Sequence, residues 1–244
     1  MKSFIEFINE SLENNSFFKK TTKTIINSIK DSSLKDDYFL IKKIEIFEPF
    51  LCDICVYIKH SKIDNIQTDS HFKDMDWEIH NFEKFGYCID ANVKVNNNDY
   101  YVPEIKINIL LSSVDEINYF ELSNRLVDLL FHETTHLNQV GPDESPFNTH
   151  VSTNHERLKS KDSFKYFLLD EEVEAMVRGM YMRSKNTDTS IDIIFHQYLN
   201  PFIKQKFITQ EEYNIVLKKW IIHSLETYPD AKYTDRVKKI VNSI

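Results

Sequence analysis

The chain has 244 residues, a formal net charge of −8, 41% hydrophobic and 28% charged residues, a length and composition that suit one large or two small water-soluble globular domains. The acidic balance speaks against a general binder of nucleic acid or of an anionic membrane, because no basic stripe is available to neutralise phosphates. No apolar run approaches the roughly 20 residues that cross a bilayer, and three cysteines, an odd number, imply a reducing compartment.

Only three glycines occur, which fits a mainly helical chain. In chain order, residues 1–10 read as a short amphipathic helix with Phe4, Ile5, Phe7 and Ile8 as its apolar patch, too acidic for a secretory signal. This Met-Lys-x-aromatic-x-x-Phe-Ile-x-Glu start resembles the capsid-targeting peptide of internal head proteins in large tailed phages. The resemblance implies removal by cleavage between Glu10 and Ser11, and a location in the host cytoplasm or the virion interior. Residues 15–30 continue as a helix with Phe17, Phe18, Ile25, Ile26 and Ile29 as core contacts. Periodicity then falls towards two. Ile41–Phe47 and Leu51–Lys59 read as strands broken by Glu48-Pro49. Cys52-Asp-Ile-Cys55 lies within the second, where its two thiols point to opposite faces, and no second pair stands at metal spacing. A short helix is expected near Phe72–His80, a strand at Gly86–Val95, a hairpin turn at Asn96–Asp99, and a strand at Tyr100–Leu111. In that last strand Val102, Ile105, Ile107, Ile109 and Leu111 alternate with Glu104, Lys106 and Asn108, which predicts one buried face and one wet face. The sum is a small antiparallel sheet.

The sheet leads into Leu129-Leu130-Phe131-His132-Glu133-Thr134-Thr135-His136-Leu137, which contains His-Glu-x-x-His. At 3.6 residues per turn His132 and His136 stand on one helix face and reach one metal ion, with Glu133 beside them as a base for metal-bound water. Leu122, Leu126, Leu129, Leu130 and Leu137 continue an apolar stripe, and Gly141-Pro142 is a stop signal.

A catalytic zinc ion takes three protein ligands and leaves one position for water. The third is sought in Asp170-Glu171-Glu172-Val173-Glu174-Ala175-Met176-Val177-Arg178-Gly179, a helix for which Asp170 is the expected N-cap. Glu171, Glu172 and Glu174 all compete. Glu172 is favoured because Ala175 and Gly179 share its face, and small residues there allow a close approach to the first helix. Glu171 is the natural partner of the helix dipole.

Sheet first and His-Glu-x-x-His helix next resembles the zincin metallopeptidases, and the Glu-x-x-Ala spacing resembles the third-ligand motif of their glutamate branch, the gluzincins. The resemblance implies an α+β zincin-like fold, Zn2+ held by His132, His136 and Glu172, and Glu133 as catalytic base. It also implies a peptide or protein substrate held along a sheet edge. Several gluzincin groups carry an acidic or amide residue where this chain has Met176, so the group that orients the histidines must come from elsewhere. The metzincin pattern does not fit, since Gln139 and Pro142 occupy its required positions.

Residues 141–166 are a polar connection containing His150 and His155. A polar linker follows at 184–190, then helices near 191–199, 202–207 and 210–227, the last opened by a capping box at Thr209 and Glu212, and a final helix after Pro229. Tyr181, His196, His223, Tyr228, His150 and His155 are available as oxyanion donors. The halves 1–140 and 141–244 are expected to form one compact unit with a cleft between them. The first reading is a zinc peptidase; the second is a silent zincin-like virion or binding protein with structural zinc, and the third a metal-free helical protein. No feature of the sequence specifies an oligomeric state.

Overall fold

A computed structural model describes residues 16–30, 38–47, 50–61, 79–94, 104–112, 116–139 and 163–237. The expectations for residues 1–10, for Asn96–Asp99, and for His150 and His155 lie outside them.

The first half is an α+β layer. Helix α1 (Ser16–Lys30) precedes strands β1 (Tyr38–Phe47) and β2 (Phe50–Ser61). Helix α2 (Ile79–Phe85) then leads to strands β3 (Tyr87–Lys94) and β4 (Glu104–Ser112). Helix α2 overlaps the end of the helix expected near Phe72–His80, whose earlier residues lie outside those described, and leads into β3. Gly86 makes that junction with φ of +73°, and a Cβ there would stand 2.6 Å from the Glu116 carbonyl oxygen. Glycine alone meets both demands.

Among the described residues the sheet has four strands in the order β1-β2-β4-β3. The β1–β2 and β3–β4 pairs are antiparallel, as expected for hairpins, but β2 and β4 run parallel, with Ile54 opposite Ile105 and Ile58 opposite Ile109. The expected all-antiparallel sheet is therefore a mixed one. The long connection from β2 through α2 supplies the crossover that a parallel pair needs. Strand β4 is thus an inner strand, and the expectation of a wet face is corrected: Lys106 and Asn108 are buried together with Ile105, Ile107 and Ile109. The Lys106 ammonium nitrogen lies over the Tyr57 ring, 4.6 Å from the centroid. Cys55 and Cys88 are buried and not joined in a disulfide.

One face of this sheet meets α1 and helix α3 (Tyr119–Gln139), whose apolar residues join in one core with Phe18, Ile25, Ile29, Ile54, Ile89, Ile107, Leu122, Leu126 and Leu130. The Asn118 side chain accepts from the Glu121 amide at 3.1 Å and caps α3.

The second half is helical: α4 (Ser163–Tyr166), α5 (Asp170–Thr187), α6 (Ile191–Lys204) and α7 (Gln210–Thr227). It has its own aromatic core around Phe167, Phe195, Phe202 and Trp220. Three boundaries differ from expectation. Leu169, not Asp170, is the N-cap of α5, without a side-chain cap bond; Asp170 instead meets Lys219 at 2.6 Å. Helix α5 continues to Thr187, so most of the expected 184–190 linker is helical. Pro201 lies inside α6 rather than between two helices. It falls in the last turn, and the Gln197 carbonyl that loses its donor belongs to an exposed residue open to water. The capping box of α7 is present, with the Thr209 side chain accepting from the Glu212 amide and the Glu212 carboxylate accepting from the Thr209 amide. Among the described residues no helix is long and apolar enough to cross a membrane.

The halves meet where α3 lies against α5. A Cβ built on Gly179 would stand 2.4 Å from Asp128 Oδ1 and 2.6 Å from the Asp128 carbonyl oxygen. No side chain fits there, and that contact sets the depth at which α5 approaches α3.

Candidate metal centre

Two residues on α3 and one on α5 converge. His132 and His136 sit one turn apart in a stretch of α3 that is buried on all sides. Between them stand Thr134 and Thr135, two β-branched residues with hydroxyls to satisfy in an apolar setting. Each donates to the carbonyl four residues back, Thr134 to Leu130 at 2.6 Å and Thr135 to Phe131 at 2.8 Å. Both hydroxyls are thus satisfied within the core.

Opposite, Glu172 lies in the first turn of α5, only 1% exposed, whereas Glu171 and Glu174 face solvent. Of the three competing glutamates, the structure brings Glu172 to the histidines. The small residues on its face do what their size suggests: Ala175 is fully buried and Gly179 is in contact with α3.

The three ligand atoms form a triangle. His132 Nε2 and His136 Nε2 are 3.0 Å apart, and Glu172 Oε2 is 3.4 Å from His136 Nε2 and 3.8 Å from His132 Nε2. Ligands about 2.0–2.2 Å from a tetrahedral ion lie about 3.3–3.6 Å from one another, and the three edges bracket that range. The buried group His132, His136 and Glu172 can therefore hold a metal ion. Glu133 is 4% exposed, and its Oε1 lies 3.9 Å from His132 Nε2, at the edge of the group.

Electrostatics agree with the geometry. Burial, the neighbouring His136 and the Arg125 charge push the His132 pKa down to about 3, against opposing contributions from Glu172 and from a hydrogen bond with the Ala175 backbone. The imidazole is neutral at ordinary pH, the state in which its lone pair binds a metal. Burial alone would raise the Glu172 pKa, but hydrogen bonds from His136 and Tyr166 and the adjacent imidazoles bring it below the usual value, so the carboxylate is ionised.

Two supports of the site were not given that role from the sequence. Tyr166, at the end of α4, is buried, and burial and the Glu172 charge raise its pKa well above 10. It stays protonated and donates to Glu172. The Ala175 backbone bonds His132 from the ligand helix itself, in the neighbourhood where Met176 offers no polar group. Helix α7 then fixes the start of α5: Trp220 Nε1 donates to the Phe167 carbonyl at 3.0 Å, and Lys219 Nζ donates to the Leu168 carbonyl at 2.6 Å. The only local signal for these supports is the run of apolar and aromatic residues Tyr166-Phe167-Leu168-Leu169 before the acidic turn.

Of the suggested oxyanion donors, the four among the described residues make contacts of their own. Tyr181 donates to Asp230 at 2.8 Å and stacks on Tyr228 with centroids 4.1 Å apart. His196 pairs with Tyr213 between α6 and α7, and His223 lies 3.4 Å from the Thr227 hydroxyl. No family model, curated protein or solved structure matches this chain.

Proposed function

We propose that the protein is a zinc-dependent peptidase of zincin type, with a gluzincin-like ligand set. The observation that carries this reading is the buried triangle of His132, His136 and Glu172 with Glu133 at its edge. Two neutral or neutralisable nitrogen donors and one carboxylate form the donor set of a catalytic zinc site, and a carboxylate beside the ligands serves hydrolysis. When bound, the ion supplies Lewis acidity to a water and to a substrate carbonyl. The chain does the rest. Glu172 and the two histidines hold the ligand geometry, Tyr166 and the Ala175 backbone fix their orientation, and Glu133 accepts a proton from the attacking water. The same carboxylate then delivers that proton to the leaving amine as the peptide bond breaks. The substrate class is a peptide or protein.

The test is Glu133→Gln. The variant keeps its fold and its metal content after dialysis, while cleavage of a mixed peptide library, read by mass spectrometry, falls by about 10²–10⁴-fold. Equal cleavage by variant and wild type would refute the mechanism. A wild-type protein that retains zinc and cleaves nothing would make the ion structural.

A further inference from the structure

A second polar site lies at the other end of the α3–α5 contact. A cavity of about 280 Å³ opens between α2, α3, α5 and α6, room for roughly nine water molecules at about 30 Å³ each. Lys84, Arg125, Arg183 and Lys204 line it, with Glu121 as the one carboxylate among its lining residues. This concentration of positive charge stands out in a chain of net charge −8.

The guanidiniums are built into the protein rather than waving at its surface. Arg125 is buried, bonded to Asp128 at 2.5 Å, with its guanidinium 5.1 Å from the centre of the Tyr198 ring. Arg183 donates to Glu121 at 2.9 Å, its side chain 12% exposed. A guanidinium has five N–H donors, and the buried Nε of Arg183 has no hydrogen-bond partner. An unsatisfied buried donor in a native protein calls for an acceptor that the chain does not supply. Lys84 and Lys204 are exposed at the rim and form no ion pair among the described residues. Two guanidinium forks held by ion pairs and two exposed ammonium groups are the recognition chemistry of a phosphate-class oxyanion.

The cavity is separate from the metal group. Asp128 and Gly179 stand between them, too close for a methyl group. Arg125 precedes His132 by seven residues, about 10 Å along the helix.

We propose that this cavity is a binding site for a phosphate-class oxyanion, built by Lys84, Arg125, Arg183 and Lys204 and independent of the metal group. Inorganic phosphate and the phosphate group of a small metabolite share this chemistry.

The experiment is calorimetric titration of the full chain with sodium phosphate, chloride keeping the ionic strength constant. The expected result is one saturable site, unchanged by prior chelation of metal and weakened about tenfold or more in a Lys84→Ala, Lys204→Ala double variant. Those two lysines are exposed, so the variant melts like the wild type. Arg183→Lys, which keeps the charge and loses the fork, weakens binding as well. Glycerol phosphate binding more tightly than phosphate identifies an esterified ligand; equal or weaker binding identifies the free ion. No saturable binding, or unchanged binding in the double variant, overturns the proposal. Binding that vanishes on chelation and survives the lysine substitutions belongs to the metal group and overturns it too.

Discussion

The two ends of the α3–α5 contact share one backbone geometry and differ in charge balance. At the Arg125 end, each carboxylate meets a guanidinium: Asp128 pairs with Arg125 at 2.5 Å and Glu121 with Arg183 at 2.9 Å. At the His132 end, Glu133 and Glu172 are buried beside two imidazoles, one of which is held neutral down to about pH 3. A buried carboxylate is tolerated when a positive charge neutralises it. The first end finds that charge within the chain, whereas the second is a buried group that can hold a cation from outside. The same helix pair thus carries ion pairs at one end and a group able to hold a metal at the other.

Removing a partner should affect the two ends in opposite ways. Arg125→Ala leaves Asp128 buried without its guanidinium, and loss of one member of a buried pair costs about 3–5 kcal/mol. Urea denaturation should show that loss with or without metal. His132→Ala should leave the metal-free protein about as stable as before, because it removes a buried polar ring rather than half of an ion pair. It should instead weaken zinc binding by roughly two to four orders of magnitude, its share of an apparent zinc-binding energy of about 10–16 kcal/mol spread over the ligand set. Competition with a chelating dye reads this directly. A His132→Ala protein that binds zinc as tightly as the wild type would abolish the distinction between the two ends.

Acid sharpens the same comparison. The His132 pKa lies near 3 in the folded chain and near 6.5 when unfolded. Between those values the unfolded chain binds the extra proton, so stability is complete above pH 6.5 and is lost as pH falls towards 3. The depressed pKa of Glu172 has the same sign: its contribution is present above its ordinary value and is lost as pH falls below it. For metal-free protein the loss should be on the order of a few kcal/mol between pH 6.5 and 3. His132→Ala should flatten that slope, whereas Arg125→Ala should lower the whole curve. Chemical denaturation across that pH range would expose an error in either expectation.

The parts of this arrangement that local pattern can carry were legible in the sequence. His132 and His136 lie four residues apart, and Glu172, Ala175 and Gly179 lie three and seven apart, so helical periodicity alone puts each set on one face. The β3–β4 hairpin and the capping box at Thr209 are short-range features of the same kind. What was not legible depends on residues distant in sequence. No local pattern distinguishes β4 beside β2 from β3 beside β2, so the parallel pairing and the burial of Lys106 and Asn108 follow only from the assembled sheet. Asp170 looks like an N-cap until Lys219, 49 residues later, bonds its carboxylate. The Trp220 contact with the Phe167 carbonyl spans 53 residues. Local chemistry named the ligands, and long-range packing decided how they are held.

The smallest expected effect tests that last step. Tyr166 bonds the metal group through Glu172, so Tyr166→Phe keeps the ring in its apolar surroundings and removes one donor to the carboxylate. Because a buried tyrosine and a buried phenylalanine fill nearly the same space, the fold should be little affected. Glu172 loses a bond that both stabilises its charge and fixes its direction, and loss of such an outer partner lowers metal affinity by about 10–100-fold. Zinc affinity should fall at least towards the lower figure, while the melting temperature of metal-free protein changes little. Affinity equal to the wild type would mean that His136 and the α5 backbone hold Glu172 without help from α4. The carboxylate would then be fixed by helix packing alone, and the Lys219 and Trp220 contacts would be the next place to look.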